Sequence, residues 1–189
     1  MATTSAKAVK EGANPLVPGL ERLPVHPTAL TIFGATGDLA HRKLLPALYN
    51  LAHEGALPER FEMVGISRSE FSDEEFQQEA RESIERFSRT KPDQEVLDGL
   101  VSSIRYLPGS FDDPDVFRRL GQTLEEMQER AGQPMNRLFY LSTAPQFFPV
   151  IAEAVGKFGA LRSSWQPPHT RDSPARAENH TGSLNSDMP

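Results

Sequence analysis

TIFGATGDLAHRK, residues 31–43, passes from a β-branched apolar run through paired glycines into a basic helical pattern. That order decides the fold. Residues 29–33, ALTIF, lie between Pro27 and Gly34 and suit a buried strand. Gly34 permits a tight turn that a Cβ would obstruct, Gly37 lets the backbone come close to a ligand, and Ala40 is small enough for helix to pack on strand. The free N–H groups of the following helix face the turn, and their partial positive charge suits a pyrophosphate. Thr36 offers its hydroxyl as a further donor. The alternative is a plain strand-to-helix turn. A P-loop is excluded, because that motif needs Gly-Lys-Ser/Thr after four intervening residues and Leu39 stands at the second glycine's place.

Working outward, residues 38–54 carry apolar side chains at helical spacing and stop at Gly55; Asp38 stands where an N-cap is wanted, and Pro46 predicts an irregular first turn. FEMVGIS, residues 61–67, reads as a second strand. Ser72-Asp73-Glu74-Glu75 then matches a capping box at the head of a charged helix reaching about Phe87. Lys91-Pro92 breaks it, a helix pattern follows over residues 93–103, and residues 104–107 read as a third strand ending at Pro108-Gly109. Asp113-Pro114 opens an amphipathic helix that Gly132 terminates. RLFYLS, residues 137–142, is the fourth strand, and a last helix spans residues 147–158 before Gly159.

Strands and helices alternate, and the strands are too apolar to leave a wet face. The pattern implies an α/β fold: a Rossmann-like, doubly wound parallel sheet covered on both sides, with right-handed crossovers, incomplete at its C-terminal end. The folded domain is expected over residues 28–160. Residues 1–27, rich in Pro, Ala and Gly, read as a mobile arm without a secretory signal. From residue 161 the chain turns to Ser, Pro, Arg, Asn and His without apolar periodicity, which predicts a disordered tail over residues 161–189.

Composition narrows the function. The chain has 189 residues, 38% of them hydrophobic, a net charge of -6 and no cysteine. Thiol catalysis, disulfides and Cys-ligated metals are excluded; the 5 scattered histidines give no reason to expect a metal site. The acidic balance speaks against nucleic acid as a partner, and no apolar run is long enough to cross a bilayer. A cytoplasmic location fits. Anion binding must therefore be local, and the end of the second strand supplies a second element for it.

There the sequence reads Ile66-Ser67-Arg68-Ser69. NAD sites place an acid at this point for the ribose hydroxyls, and NADP sites a cation for the 2′-phosphate. Arg68 suits the phosphate and the adenine face, with its flanking hydroxyls completing the pocket, so NADP is favoured over NAD; Glu70 two residues on weighs slightly the other way. A solvated surface arginine is the plainer reading. His41, Arg42 and Lys43 form a basic cluster beside the turn, and Lys43 is the candidate to reach a phosphate or sugar.

GATGDLAHRKLLPALYNL resembles the coenzyme fingerprint of the glucose-6-phosphate dehydrogenase family, close to GxxGDLAxRKLxPxxxxL. VGISRS, SFDDPDVFRRL and NRLFYLSTAP resemble later segments of the same family, so the likeness covers residues 29–159; Ala144 stands where a second proline is common. The resemblance implies that Gly34, Ala35, Thr36, Gly37, Asp38, Leu39 and Ala40 line the coenzyme turn, that Arg68 is the NADP-binding arginine, that Tyr140 lies against the cofactor, and that Lys43 lies near the substrate. It implies oxidation of glucose 6-phosphate to 6-phosphogluconolactone with hydride passed to NADP, in an enzyme that forms homo-oligomers.

The family's EKPFG and RIDHYLGKE segments, and the histidine that serves as its general base, are absent from this chain. Lactone formation needs a base for the hydroxyl proton, so no catalytic residue is named and the chain is expected to be inactive alone, with glucose 6-phosphate a partner only if the missing domain is supplied. A frameshifted gene end and a genuine short paralogue both account for the change at residue 161. A non-catalytic NADP-binding or interaction module is the alternative function. A short-chain dehydrogenase is excluded, since none of the 3 tyrosines is followed by lysine four residues later.

Overall fold

In a computed structural model, residues 26–89 and 91–157 are described. The expectations for most of the N-terminal arm and for the tail lie outside them, as do Phe158 and Gly159.

Parallel strands β1 (Thr28–Phe33), β2 (Phe61–Ser67), β3 (Ile104–Pro108) and β4 (Asn136–Leu141) form one sheet in the order β3-β2-β1-β4. The order steps outward from β1 to β3 and then returns to β1's other side. The switch point therefore lies between β1 and β4, and the turn after β1 opens onto it.

The helices follow their sequence signals. After β1 the chain makes a π-turn (Ala40–Leu44), closed by the Leu45 N–H donating to the Ala40 carbonyl, and passes into α1 (Leu45–His53) with Pro46 in its first turn. The expected irregular entry is thus one wide turn, and Pro46 is tolerated because it sits where an amide has little to donate to. Ser72 and Glu75 form the capping box that starts α2 (Asp73–Phe87), and Asp93 caps α3 (Gln94–Ser102). Asp113 and Pro114 start α4 (Pro114–Ala131), which ends at Gly132 in the left-handed region at φ 66°. A short 3-10 turn (Pro145–Phe147) precedes α5 (Phe148–Lys157).

Two cores flank the sheet. On one face Leu30, Ile32 and Met63 pack with Leu45, Tyr49, Phe76, Ile84 and Leu97 from α1, α2 and α3. On the other, Ala29, Phe33, Val64 and Ile66 meet Phe117, Leu120, Leu124, Ile151 and Val155 from α4 and α5. Burying one such apolar side chain stabilises by about 1.5–3 kcal/mol, so each face anchors its helices.

β4 corrects the expectation that every strand is covered on both sides. Phe139 and Leu141 pack towards α4 and α5, but Leu138 and Tyr140 are 56% and 42% exposed. Their register partners Leu30 and Ile32 are buried under α1. The helices after β1 and β2 step away from β4, so none lies over its α1-side face. β4 is also one of the two edge strands of the sheet, β3 being the other, among the described residues.

Candidate coenzyme site at the carboxyl edge

All four strands end on one edge of the sheet, where the turn after β1 and the residues just past β2 lie. The turn after β1 is held to β2: Gly34 N–H and Ala35 N–H both donate to the Ile66 carbonyl at 2.8 and 3.2 Å. Gly37 N–H closes the turn on the Gly34 carbonyl at 3.0 Å, and Ser142 N–H, just past β4, donates to Phe33 at 2.8 Å. The turn thus sits in the notch between β2 and β4.

Gly34 is required there for two reasons. Its φ is +84°, and a Cβ would run into the Ser142 carbonyl oxygen. Gly37 has an ordinary φ, and a Cβ on it would lie 3.2 Å from the Gly34 carbonyl, so it serves the tightness of the turn. Ala35 and Ala40 are buried at 1% exposure, consistent with small residues where helix and strand meet.

Asp38 does not cap the helix. Helical backbone begins at Asp38 itself, with His41 N–H bonded to the Gly37 carbonyl at 3.1 Å, so the capping position belongs to Gly37. The Asp38 carboxylate is exposed and lies 3.6 Å from Arg42. Asp38, Leu39 and Ala40 are the opening residues of the helical segment, and their amides lack an intrahelical acceptor. Leu39 is exposed. These amides, with the partial positive charge of the helix start, are what an anion in the notch would meet.

The basic cluster is divided by the fold. His41 Nδ1 bonds Ser83 Oγ at 2.6 Å and its Nε2 lies 3.6 Å from Glu79, while Arg42 sits over the Phe87 ring and near Asp38. Both serve the contact with α2. Lys43 is exposed and, among the described residues, has no hydrogen-bond or ion-pair partner.

At the end of β2, Thr36 Oγ1 lies 2.7 Å from Ser67 Oγ and 3.3 Å from Ser69 Oγ. The hydroxyls on both sides of Arg68 are therefore gathered against the glycine turn. Arg68 itself is exposed and has no partner among the described residues. Tyr140 stands on the uncovered face of β4, on the other side of β1.

Two contributors escaped the sequence reading. Gly65, mid-strand in β2, is buried where a Cβ would lie 2.8 Å from the Phe76 ring and 3.0 Å from the Ala35 Cβ; an isolated glycine inside a strand was the available signal. Tyr106 on β3 donates its hydroxyl to the Ser69 carbonyl at 2.8 Å and the Ser67 carbonyl at 3.3 Å, which no local pattern encodes. Among the described residues no group of three or more His, Asp or Glu side chains is placed to hold a metal ion, and no helix is long and apolar enough to cross a membrane.

Comparison with known proteins agrees with this geometry. The family model described as glucose-6-phosphate dehydrogenase, NAD binding domain, matches residues 31–171. Glucose-6-phosphate 1-dehydrogenase 2 of Mycobacterium tuberculosis is 40% identical over 144 residues, covering 75% of this chain and 28% of the relative. The Chlamydia pneumoniae enzyme is 44% identical over 131 residues, covering 69% and 26%, and the chloroplastic enzyme of Spinacia oleracea is 34% identical over 181 residues, covering 92% and 31%. A solved glucose-6-phosphate dehydrogenase in complex with glucose 6-phosphate superposes with a TM-score of 0.63 at 29% identity, over 70% of this chain and 27% of that one. A Mycobacterium avium structure gives 0.62 at 28% identity, over 73% and 28%. The chain thus spans roughly a quarter to a third of the length of these relatives. With its glycine turn, parallel sheet and matched domain, this chain belongs to the glucose-6-phosphate dehydrogenase family, of which it carries the NAD-binding domain.

Proposed function

We propose that this chain is an NADP-binding part of a glucose-6-phosphate dehydrogenase. The observation that carries the reading is Arg68: an exposed guanidinium with no protein partner among the described residues, set between hydroxyls that bond the glycine turn. A guanidinium in that position is available to a doubly charged phosphate, and a phosphate on the adenosine ribose is what separates NADP from NAD.

The rest of the carboxyl edge fits the same ligand. The amides of Asp38, Leu39 and Ala40 suit the pyrophosphate, Gly34, Ala35, Thr36 and Gly37 shape the turn beneath it, and Tyr140 offers an aromatic face towards the nicotinamide side. When bound, NADP supplies the acceptor for hydride leaving C1 of glucose 6-phosphate. Lys43, without a partner among the described residues and close in sequence to the turn, is placed to meet substrate or coenzyme oxygens. No residue of this chain is assigned as the base that takes the hydroxyl proton, so turnover by this chain alone is not expected.

Titrating NADP and NAD onto the wild type and Arg68→Ala tests the assignment. The expected result is that Arg68→Ala weakens NADP about tenfold, or about 1.4 kcal/mol, and leaves NAD nearly unchanged. Equal affinities in all four titrations would remove the 2′-phosphate role. Adding glucose 6-phosphate to the NADP-bound chain and following absorbance of the reduced nicotinamide tests the expected lack of turnover.

A further inference from the structure

Among the described residues Arg68 has no side-chain partner to hold it, so its aim depends on the backbone that carries it. That backbone is unusually well tied from one direction. The Tyr106 hydroxyl lies beneath the loop and donates to the carbonyls of the residues on either side of Arg68, Ser69 at 2.8 Å and Ser67 at 3.3 Å. The Ser67 carbonyl also accepts from Gly109 N–H at 2.8 Å, and the Ser69 carbonyl from Phe71 N–H at 3.2 Å. Thr36 bonds both flanking hydroxyls from the opposite side.

Tyr106 is itself fixed. It is 4% exposed, its ring lies 4.6 Å from that of Phe76 and 5.9 Å from that of Phe71, and its N–H donates to Asp73 Oδ1 at 2.6 Å. A strand, a helix start and an aromatic stack therefore hold the hydroxyl in place. Burial pushes the phenol's pKa above its ordinary value of 10.0, so the hydroxyl keeps its proton and remains a donor. A buried tyrosine needs one hydrogen-bond partner, and this one uses the two carbonyls that bracket a single exposed arginine.

We infer that Tyr106 is a positioning residue for coenzyme selection, holding the Ser67–Ser69 backbone so that the Arg68 guanidinium is pre-aimed at the 2′-phosphate. The inference rests on the proposed NADP reading of Arg68. Its energetic basis is preorganisation: a loop already fixed in the binding geometry loses less freedom when the phosphate arrives. NAD, which lacks that phosphate, draws no benefit.

The test is titration of the full 189-residue chain with NADP and NAD, in the wild type, Tyr106→Phe, Arg68→Ala and the double variant. Tyr106→Phe removes the hydroxyl and keeps the ring. NADP is expected to weaken about fivefold, the order expected for one neutral hydrogen bond, with NAD unchanged. In the Arg68→Ala background the same substitution is expected to leave both affinities unchanged, because its effect passes through the guanidinium. Equal weakening of both coenzymes, or an undiminished effect without Arg68, would mean a merely structural role and overturn the inference while leaving Arg68's own role intact. A wild type without preference for NADP would overturn both together. Should Tyr106→Phe not fold, tyrosine labelled with 13C at Cζ in the wild type gives the answer: the Tyr106 resonance is expected to move with NADP and not with NAD, and identical responses would refute the inference.

Discussion

The Ser142 carbonyl oxygen fills the space that a Cβ on Gly34 would need, so the end of β4 and the turn after β1 are locked together. Gly34→Ala meets both a positive φ and this contact, and is expected to destabilise the fold by at least about 2 kcal/mol. Gly55, at φ +64° with open space around it, isolates the backbone part alone, and Gly55→Ala is expected to cost about 1 kcal/mol. Urea unfolding of the two variants measures the difference; equal losses would show that the contact with Ser142 has no weight.

His41 ties the π-turn to α2 through the hydroxyl of Ser83, a residue that is 7% exposed. His41→Ala strands that hydroxyl and is expected to cost about 1–2 kcal/mol. A double-mutant cycle with Ser83→Ala is expected to return a coupling of about 1 kcal/mol; additive losses would mean that the two side chains do not act as a pair.

Leu138 projects from β4 onto a face that no described helix covers. Leu138→Lys is expected to change stability by less than about 0.5 kcal/mol while reducing self-association of the purified chain in sedimentation, because a charge on an edge strand opposes sheet extension. A drop of several degrees in melting temperature would show instead that this face is covered in solution.

Acid is expected to loosen the head of α2 and the approach to α4. The Glu74 carboxyl is held below its ordinary 4.5 by its own backbone N–H and by Ser72, with Arg105 adding to the effect. Asp112 is held below 3.8 by the Ser110 hydroxyl and its own backbone N–H. Both pKa values are depressed in the folded state, so their stabilisation is complete above the ordinary values and is lost as pH falls through the folded ones. Unfolding midpoints measured from pH 6 downwards are expected to fall less steeply below about pH 4.5 in Glu74→Gln than in the wild type; superimposable profiles would contradict this.

Much of this architecture was legible because its signals are local. The capping box at Ser72, the Asp113-Pro114 start and the Gly132 stop each act within one helical turn, and each lies where the pattern placed it. The same holds for ALTIFGATG: an apolar strand followed by glycines leaves few other turns open, so the strand β1 and the tight turn after it came directly from one stretch. Arg68 became a candidate by counting to the end of the second strand, and it lies just past β2. Asp38 shows the limit. A single acidic residue before a helix reads as a cap, but the π-turn and the Gly37 carbonyl moved the helix start onto it.

The sequence by itself determined the order of elements, the parallel sheet and the residues of the turn, because periodicity, caps and glycine conformations depend on near neighbours in the chain. Only the tertiary structure decided what those residues touch: that His41 and Arg42 are spent on α2 while Lys43 is not, that Gly34 is pinned by Ser142, and that Tyr106 supports the arginine loop. It also exposed the outer face of β4. The physical reason is the same in each case. These contacts join residues far apart in sequence, and they form only once the crossovers have laid the ends of the strands side by side on one edge of the sheet.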